Sequence, residues 1–281
     1  MPYGVRSRVL KVRRVAVASL AAVMAALVLA ACAPAAGGGR TSTAAALPPM
    51  PSLLAGQPSH SPLLIHHVVA LGDSVPAGSA CSCTSYVALV ATEVAAAQHR
   101  TIKIDNLSAP GRTTAGLVEQ LGESSVTAAL SDADMAIVTI GANDLEDDSN
   151  CSVAASVGCY QPNLRALQTA YAQMLERLHA ALPARARIFV TGYWNVFLGG
   201  AVARRHGASY VRNSATLTKM VNGVIASDAA AGSAIYVDVY RAFKGDGDRD
   251  DTNLLADDGD HPNAAGHVVI AEAINAAWLG S

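Results

Sequence analysis

The sequence predicts an α/β fold in which helices cover both faces of a parallel β-sheet. Short runs of apolar and β-branched residues alternate with longer stretches whose apolar residues recur at helical spacing, and this alternation is typical of parallel sheets. Turn-forming Gly, Ser or Asp residues also lie at or near the carboxyl end of each apolar run, as expected for strands that lead into loops.

Five strands and four long helices follow from these patterns. The predicted strands are Ile65–Leu71, Ile102–Leu107, Met135–Ile140, Arg187–Gly192 and Ile235–Val239. The clearest helices are Tyr86–Gln98, Leu164–Leu182, Tyr210–Ala230 and Ala264–Trp278. The last helix follows His261-Pro262-Asn263, a combination that favours a helix start. Because ligands of such sheets bind beyond the carboxyl ends of the strands, motifs at those ends are the first candidates for function.

Length and composition are those of a protein with one main domain. The chain has 281 residues, of which 51% are hydrophobic, enough for one sizeable core after removal of a leader. With 20 basic and 22 acidic residues the formal net charge is -2, which gives no sign of nucleic-acid binding. No internal repeat is present, so we expect a single folded unit that is monomeric.

The N-terminus has the layout of a bacterial export signal. Five basic residues precede an apolar run from Val15 to Ala31, which is too short and too rich in alanine for a permanent transmembrane helix. The run ends at Leu29-Ala30-Ala31-Cys32, which resembles the lipobox in which the cysteine receives a lipid. We therefore predict a signal peptide over residues 1–32 with lipid attachment at Cys32, in preference to an ordinary cleaved signal.

The next segment, residues 33–62, is rich in Gly, Pro, Ser, Thr and Ala and has little periodicity. This composition predicts a flexible tether, with the folded domain over residues 63–281. The protein is then expected in the cell envelope, either anchored by lipid to the outer face of the membrane or secreted.

Four cysteines remain once Cys32 is set aside: Cys81, Cys83, Cys151 and Cys159. Export favours disulfides, whereas a zinc site is disfavoured because the spacings are not those of CxxC pairs and no histidine is near in sequence. Four cysteines permit three pairings. We predict a Cys151–Cys159 disulfide because it closes a short loop, with Cys81 and Cys83 either paired together or linked across.

Polar motifs occur at the predicted strand ends and before the last helix. The first strand runs into Gly72-Asp73-Ser74, the second is followed by Gly111, and the third by Gly141-Ala142-Asn143-Asp144. Asp258-Gly259-Asp260-His261-Pro262 precedes the last helix. Since all four segments are expected at one edge of the sheet, the components of a Ser-His-Asp site are present.

These four segments resemble, in order and spacing, the four sequence blocks of the GDSL or SGNH hydrolases. The resemblance extends from about Leu64 to Trp278. It implies a flavodoxin-like three-layer α/β/α sandwich, and ester hydrolysis that needs neither a metal nor an organic cofactor.

A catalytic triad of Ser74, His261 and Asp258 is the expected centre. A serine hydroxyl needs a base within hydrogen-bond reach, and histidine can serve near neutral pH. Asp258, three residues before His261, can accept the Nδ1 proton and orient the ring. Asp260 is the competing partner, but neighbouring side chains seldom point the same way, and the family pattern selects the aspartate three before.

An oxyanion hole is implied by the same resemblance. Its donors would be the backbone N–H groups of Ser74 and Gly111 and the side-chain amide of Asn143. Gly111 could instead only permit a turn, and Asn143 could only cap a helix. We interpret Asp73 and Asp144 as residues that brace loops.

Other polar residues have weaker claims. His66 and His67 open the first strand, at the end away from the motifs, and are interpreted as structural. The segment Asp246–Asp251 resembles the start of a calcium loop, but its sixth position lacks the required glycine and no glutamate closes it. A solvated acidic loop is therefore favoured over a metal site, with calcium as the alternative.

The substrate is expected to be a small-molecule, lipid or glycan ester. Candidate activities are those of a carboxylesterase or lipase, a deacetylase of O-acetylated glycans, and a phospholipase or thioesterase. A lipoprotein that binds glycans or lipids without catalysis is the alternative from a different class. It has no need of Ser74, His261, Asp258 and Asn143 together.

Overall fold

The computed structural model describes residues 64–145, 151–247 and 249–281. The predicted signal peptide (1–32), including Cys32, and the predicted tether (33–62) lie outside the described residues. The described residues belong to one compact unit. None of the helices in these ranges is both long and apolar enough to cross a membrane.

The described strands form one five-stranded sheet with the order β2-β1-β3-β4-β5. Their bounds are β1 His67–Gly72, β2 Lys103–Asn106, β3 Met135–Thr139, β4 Arg187–Thr191 and β5 Ile235–Val237. All four neighbouring pairs are parallel. The central strands β1 and β3 are buried along their whole length, because helices cover both faces of a parallel sheet.

The helices occupy the intervals between strands. They are α1 Ser74–Ala77, α2 Tyr86–Gln98, α3 Thr114–Gln120, α4 Ser124–Leu130, α5 Gln161–Ala181, α6 Gly200–Arg205, α7 Ala208–Ala231, α8 Val239–Lys244 and α9 Ala264–Leu279. Helix α2 packs against α9, and α5 lies between α3 and α7. The two groups are the outer layers of a three-layer α/β/α sandwich, which confirms the predicted fold class.

Several boundaries differ from the predicted ones. The last strand ends at Val237, not Val239, because the side chain of Asp238 accepts a hydrogen bond from the N–H of Arg241 and caps α8. The prediction also missed the short helices α1, α3, α4, α6 and α8, which have too few turns to establish a helical period. The four long helices and the remaining strands agree with it to within three residues at each end.

Gly72 controls how β1 ends. Its φ is +134°, and a side chain there would overlap the carbonyl oxygen of Thr139 on β3. Only glycine therefore lets β1 approach β3 this closely and turn at once into α1. The turn brings Ser74 to the carboxyl edge of the sheet, between the ends of β1 and β3.

Candidate active site

Ser74 is the first residue of α1, and its backbone is held by the residue before it. The Asp73 carboxylate accepts a hydrogen bond from the N–H of Val75 at 2.9 Å, so Asp73 caps the helix. At the other end of α1, Gly78 adopts the left-handed conformation that terminates the helix. This tight strand-turn-helix unit presents the Ser74 side chain at the sheet edge.

His261 connects Ser74 to Asp258. The His261 Nε2 atom lies 2.8 Å from Ser74 Oγ, and Nδ1 lies 2.8 Å from Asp258 Oδ2. The other carboxylate oxygen of Asp258 accepts the backbone N–H groups of Asp260 and His261, at 2.9 and 3.1 Å. Asp258 therefore fixes both the ring and the loop that carries it.

The same contacts keep Asp258 ionised. Partial burial acts to raise its pKa, but the hydrogen bonds from Asp260 N–H and from the ring and backbone of His261 outweigh burial and lower the pKa below its ordinary value. An ionised Asp258 accepts the Nδ1 proton, which leaves Nε2 as the acceptor that faces Ser74.

Asp260 occupies a different position from Asp258. Its carboxylate oxygen lies 3.8 Å from His261 Nδ1, too far for a hydrogen bond. Of the two aspartates weighed in the sequence, the structure thus brings Asp258 into contact with the ring. The Asp260 side chain instead lines the cavity in front of Ser74, and burial raises its pKa to about 6.

Two backbone N–H groups were predicted from the sequence as oxyanion donors. Among the described residues, neither Ser74 N–H nor Gly111 N–H makes a hydrogen bond. Gly111 has a φ of +74°, a conformation that favours glycine. The Asn143 amide donates to the carbonyl oxygen of Arg112 at 3.0 Å, which fixes one N–H of the amide next to the Gly111 turn and leaves the other for a ligand. No helix end is capped by the Asn143 side chain.

Asp73 and Asp144 connect neighbouring loops. The Tyr193 hydroxyl donates to Asp73, while Asp144 accepts the N–H and the hydroxyl of Thr114, both at 2.9 Å. Desolvation raises the pKa of Asp73 to about 6, against the opposing effect of the hydrogen bonds that Asp73 accepts from Tyr193 and Val75. Both contacts hold strand ends together, as the sequence interpretation expected.

A small cavity of about 90 Å³ opens in front of Ser74. Ser74, Asn143 and His261 lie in its wall, together with residues that the sequence analysis did not select: Val75, Ala142, Leu145, Tyr193, Trp194, Asn195 and Val196. Tyr193, Trp194 and Asn195 follow β4 directly. The rule that ligands bind beyond the carboxyl ends of strands could have identified them.

The four cysteines of the domain form two disulfides, Cys81–Cys83 and Cys151–Cys159. The first closes the loop between α1 and α2, and the second closes the segment before α5. The structure therefore pairs each cysteine with its neighbour in sequence and does not link the two loops.

The remaining candidates lie outside this site. His67 begins β1 at the opposite edge of the sheet. In the acidic loop, Asp250 pairs with Arg204 at 3.1 Å and Asp251 with Lys244 at 2.9 Å, so these two carboxylates are already neutralised by basic side chains. Nothing in the described part of that loop favours calcium.

Comparison with known proteins places the chain among ester hydrolases. A model of the GDSL-like Lipase/Acylhydrolase family matches residues 70–269. No curated protein matches the sequence. Similar solved structures include the lipase Lip_vut3 from a goat rumen metagenome, with 18% identity over 75% of this chain and 97% of that chain and a TM-score of 0.60. An extracellular lipase from Streptomyces rimosus is 24% identical over 75% of this chain and 99% of that chain, with a TM-score of 0.56. Phospholipase A1 from Streptomyces albidoflavus NA297 is 23% identical over the same shares, also with a TM-score of 0.56.

Proposed function

The chain belongs to the GDSL-like lipase/acylhydrolase family, and on that premise we propose that it hydrolyses carboxylic esters with Ser74 as nucleophile, His261 as base and Asp258 as the residue that orients the base. The observation that carries the proposal is the continuous chain of contacts from Ser74 Oγ through His261 to Asp258, with 2.8 Å at each step. That chain ends at an open cavity.

In the first step, Ser74 Oγ attacks the carbonyl carbon of the ester while its proton passes to His261 Nε2. The π electrons of the carbonyl move to its oxygen and form a tetrahedral oxyanion. Asp258 stabilises the positively charged imidazolium that results. Collapse of the oxyanion breaks the bond to the alcohol oxygen, which takes the proton from Nε2 and leaves an acyl group on Ser74.

In the second step, water attacks the acyl group while His261 Nε2 accepts its proton. Collapse of the second oxyanion returns this proton to Ser74 Oγ and releases the carboxylic acid. His261 thus acts as base and then as acid in each half of the reaction, and the net change is one water consumed per ester bond.

We assign the oxyanion to the N–H groups of Ser74 and Gly111 and the Asn143 amide. Two observations support this assignment: both backbone N–H groups lack partners among the described residues, and the Asn143 amide is anchored by the Arg112 carbonyl. Donors that are fixed before the reaction stabilise developing charge without reorganisation. A protein that only bound esters would gain little from such a set of donors.

The size of the cavity favours esters of short acids. At about 90 Å³ it is well below the roughly 300–1,000 Å³ of pockets that enclose drug-sized ligands. An acetyl or propionyl group fits such a space, whereas a long acyl chain would have to extend along the surface. Short-chain carboxylesters and O-acetylated glycans both carry a small acyl group of this kind, so the cavity size is compatible with either class of substrate.

A panel of p-nitrophenyl esters of rising chain length, run beside acetylated glycans, tests the activity and the acyl preference. We expect kcat/KM to be highest for acetate to butyrate and to fall for longer chains. Reaction with a fluorophosphonate should place one phosphonyl group on the peptide that contains Ser74. Absence of both turnover and labelling would favour a protein that binds without catalysis.

We further propose that the protein is exported and carries lipid on Cys32. Support comes from the basic, apolar and small-residue segments that precede Cys32 and from the two disulfides of the domain, because disulfides persist outside the cytoplasm. Cell fractionation and mass measurement of the N-terminal peptide test this. A soluble product that begins at another residue would contradict it.

A further inference from the structure

Asp260 carries a charge in the cavity that the proposed reaction does not use. Its carboxylate lines the space in front of Ser74 and, among the described residues, makes no hydrogen bond. The side chain is 46% exposed, so solvent or a substrate can reach it. A charged group at this position must favour or oppose the charge of whatever ester enters.

The Asp260 backbone, in contrast to its side chain, is firmly held. Its N–H donates to Asp258 at 2.9 Å, and its carbonyl oxygen accepts the indole N–H of Trp194 at 3.0 Å. Trp194 is in turn stacked on Phe243, with ring centroids 4.7 Å apart. The carboxylate is therefore the one polar part of Asp260 that the protein leaves for another molecule.

Its immediate surroundings suit a cation. The described cavity wall contains no lysine or arginine side chain, so the Asp260 carboxylate can attract an ammonium group by charge. Trp194 is only 2% exposed and serves to hold the Asp260 backbone. The two other carboxylates near the cavity are already engaged: Asp258 by His261, and Asp73 by Tyr193 and Val75. Asp260 differs from both in that its carboxylate makes no hydrogen bond among the described residues, although it lies 3.8 Å from His261 Nδ1.

We propose that Asp260 determines substrate specificity in the active-site cavity, favouring esters whose alcohol carries an ammonium group and disfavouring anionic esters. This inference rests on the proposed function, because it concerns substrates of the same site. His261 Nε2 is the atom that protonates the departing alcohol. Asp260 and His261 line the same cavity, and on this ground we assign the effect of the charge to the alcohol part of the ester.

The pH dependence of this preference follows from the groups that surround Asp260. Partial burial, together with the neighbouring Asp258 charge, raises the pKa of Asp260 to about 6 against the opposing effect of His261, so its charge is largely present at pH 7.5 and largely lost at pH 5. Asp258 stays ionised in this range because its pKa is lowered, while Asp73, with a pKa raised to about 6, titrates in parallel.

The test compares acetylcholine with 3,3-dimethylbutyl acetate, a neutral ester of nearly the same shape, by titrating the acid released. At pH 7.5 the preference of the wild-type enzyme for the cationic ester should fall roughly 5- to 30-fold in Asp260→Asn, a range set by Coulomb attraction across a few ångströms of partly screened space. The neutral ester should lose less than the cationic ester, so the quantity that tests the proposal is the ratio of the two kcat/KM values. The acetate ester of 3-hydroxypropanesulfonate, which is anionic, should react faster in the variant.

A matched control is Asp257→Asn, which removes the same charge from an exposed position of the same loop that does not line the cavity; its preference should stay close to that of the wild type. Asp260→Ser serves as a second neutral variant, and thermal melts check its folding. Between pH 7.5 and 5, the preference should fall in the wild type more than in Asp260→Asn.

Equal losses for both esters in Asp260→Asn would show that Asp260 acts through His261, and no change for either would show that its charge does not reach the substrate. Each result overturns the proposal. Failure of the wild-type enzyme to hydrolyse even the neutral ester would instead contradict the proposed function.

Discussion

Two histidine–aspartate pairs lie at opposite edges of the same sheet, with the same separation and different surroundings. His67 Nε2 lies 2.8 Å from Asp105 Oδ2 at the amino edge, and His261 Nδ1 lies 2.8 Å from Asp258 Oδ2 at the carboxyl edge. The His67 side chain is only 2% exposed, against 19% for His261. Contact between imidazole and carboxylate is therefore common to both pairs, and any difference in function must come from what surrounds them.

The two pairs differ in what surrounds the imidazole nitrogen that does not face the aspartate. His67 Nδ1 is buried and, within the described ranges, has no hydrogen-bond partner, whereas His261 Nε2 lies 2.8 Å from Ser74 Oγ and borders a cavity. Only the second arrangement offers a nucleophile, a space for the ester and donors for an oxyanion. The comparison indicates that a His-Asp pair alone carries little functional information.

The largest expected loss of activity comes from substitutions at the His261 pair, and the same test at the His67 pair should show almost none. Ser74→Ala and His261→Ala should each lower kcat/KM for a short-chain p-nitrophenyl ester by about 10⁶-fold, because nucleophile and base act as one unit. Both variants should melt close to the wild-type temperature, since neither side chain belongs to the core. His67→Gln is the matched control at the other pair. Its kcat/KM should stay within about twofold of the wild type, because His67 is the first residue of β1, at the end of the strand away from Ser74. Wild-type turnover in Ser74→Ala would refute the nucleophile assignment.

Loss of the carboxylate alone should be less severe. In Asp258→Asn, His261 loses the acceptor that fixes its tautomer, and kcat should fall by about 10³- to 10⁴-fold. Steady-state kinetics of Asp258→Asn beside Asp260→Asn measure which aspartate orients the ring. A larger loss in Asp260→Asn for a neutral ester would assign that role to Asp260, despite its 3.8 Å separation from Nδ1.

Much of the fold could be predicted because local pattern and tertiary burial agree. The buried strands β1 and β3 are continuous apolar runs, and the long helices present several turns of regular spacing. Short elements were missed because one or two turns hold no period, and β5 was drawn too long because Val239 looks like a strand residue. Val239 instead begins α8, because the Asp238 side chain caps that helix. Strand propensity takes no account of such a side-chain contact.

The residues of the candidate site could be selected from the sequence because they occur in short motifs. Each of these residues lies near the end of a strand or in a loop, within a sequence block that resembles one of the family's: Ser74, Gly111, Asn143, Asp258 and His261. The cavity wall was not predicted, because its residues Tyr193, Trp194 and Asn195 form no motif. Only their position directly after β4, which lies beside β3, could have indicated them. The different positions of Asp258 and Asp260 likewise depend on loop geometry that spacing does not fix.

A smaller loss of kcat is expected for substitution of Asn143. This substitution tests the proposed oxyanion donors, which lie near the His261–Asp258 pair and not near the His67–Asp105 pair. If the amide donates to the oxyanion, Asn143→Ala should lower kcat by ~10²–10³ with KM nearly constant, because the bond matters chiefly in the transition state. A purely structural role predicts a stability loss on the order of 1 kcal/mol with turnover nearly intact. Kinetics and a thermal melt of the same variant distinguish the two, and a lower melting temperature with unchanged kcat would remove Asn143 from the oxyanion hole.

The smallest effect belongs to the amino-edge pair, where stability should respond and activity should not. A hydrogen bond from Lys103, together with one from His67, lowers the pKa of Asp105 against the opposing effect of burial. A carboxyl whose pKa is lower in the folded state than its ordinary value of 3.8 stabilises the fold above that value, and this stabilisation is lost as the pH falls through the folded pKa. Asp105→Asn should therefore lower the free energy of unfolding at pH 7, and with it the melting temperature. The loss should be on the order of 1 kcal/mol or less, because Asp105 is partly exposed.

Melts over a pH series then test whether this second pair is structural. The difference in melting temperature between the wild type and Asp105→Asn should be largest near neutral pH and should shrink below about pH 4, where the wild-type carboxyl begins to take up its proton. Ester hydrolysis at pH 7 should be unchanged, because the Asp105 side chain contacts His67 at the amino end of β1, whereas Ser74 follows the carboxyl end of that strand. A loss of kcat without a change in melting temperature would mean that the amino-edge pair influences the chemistry, and the contrast between the two pairs would fail.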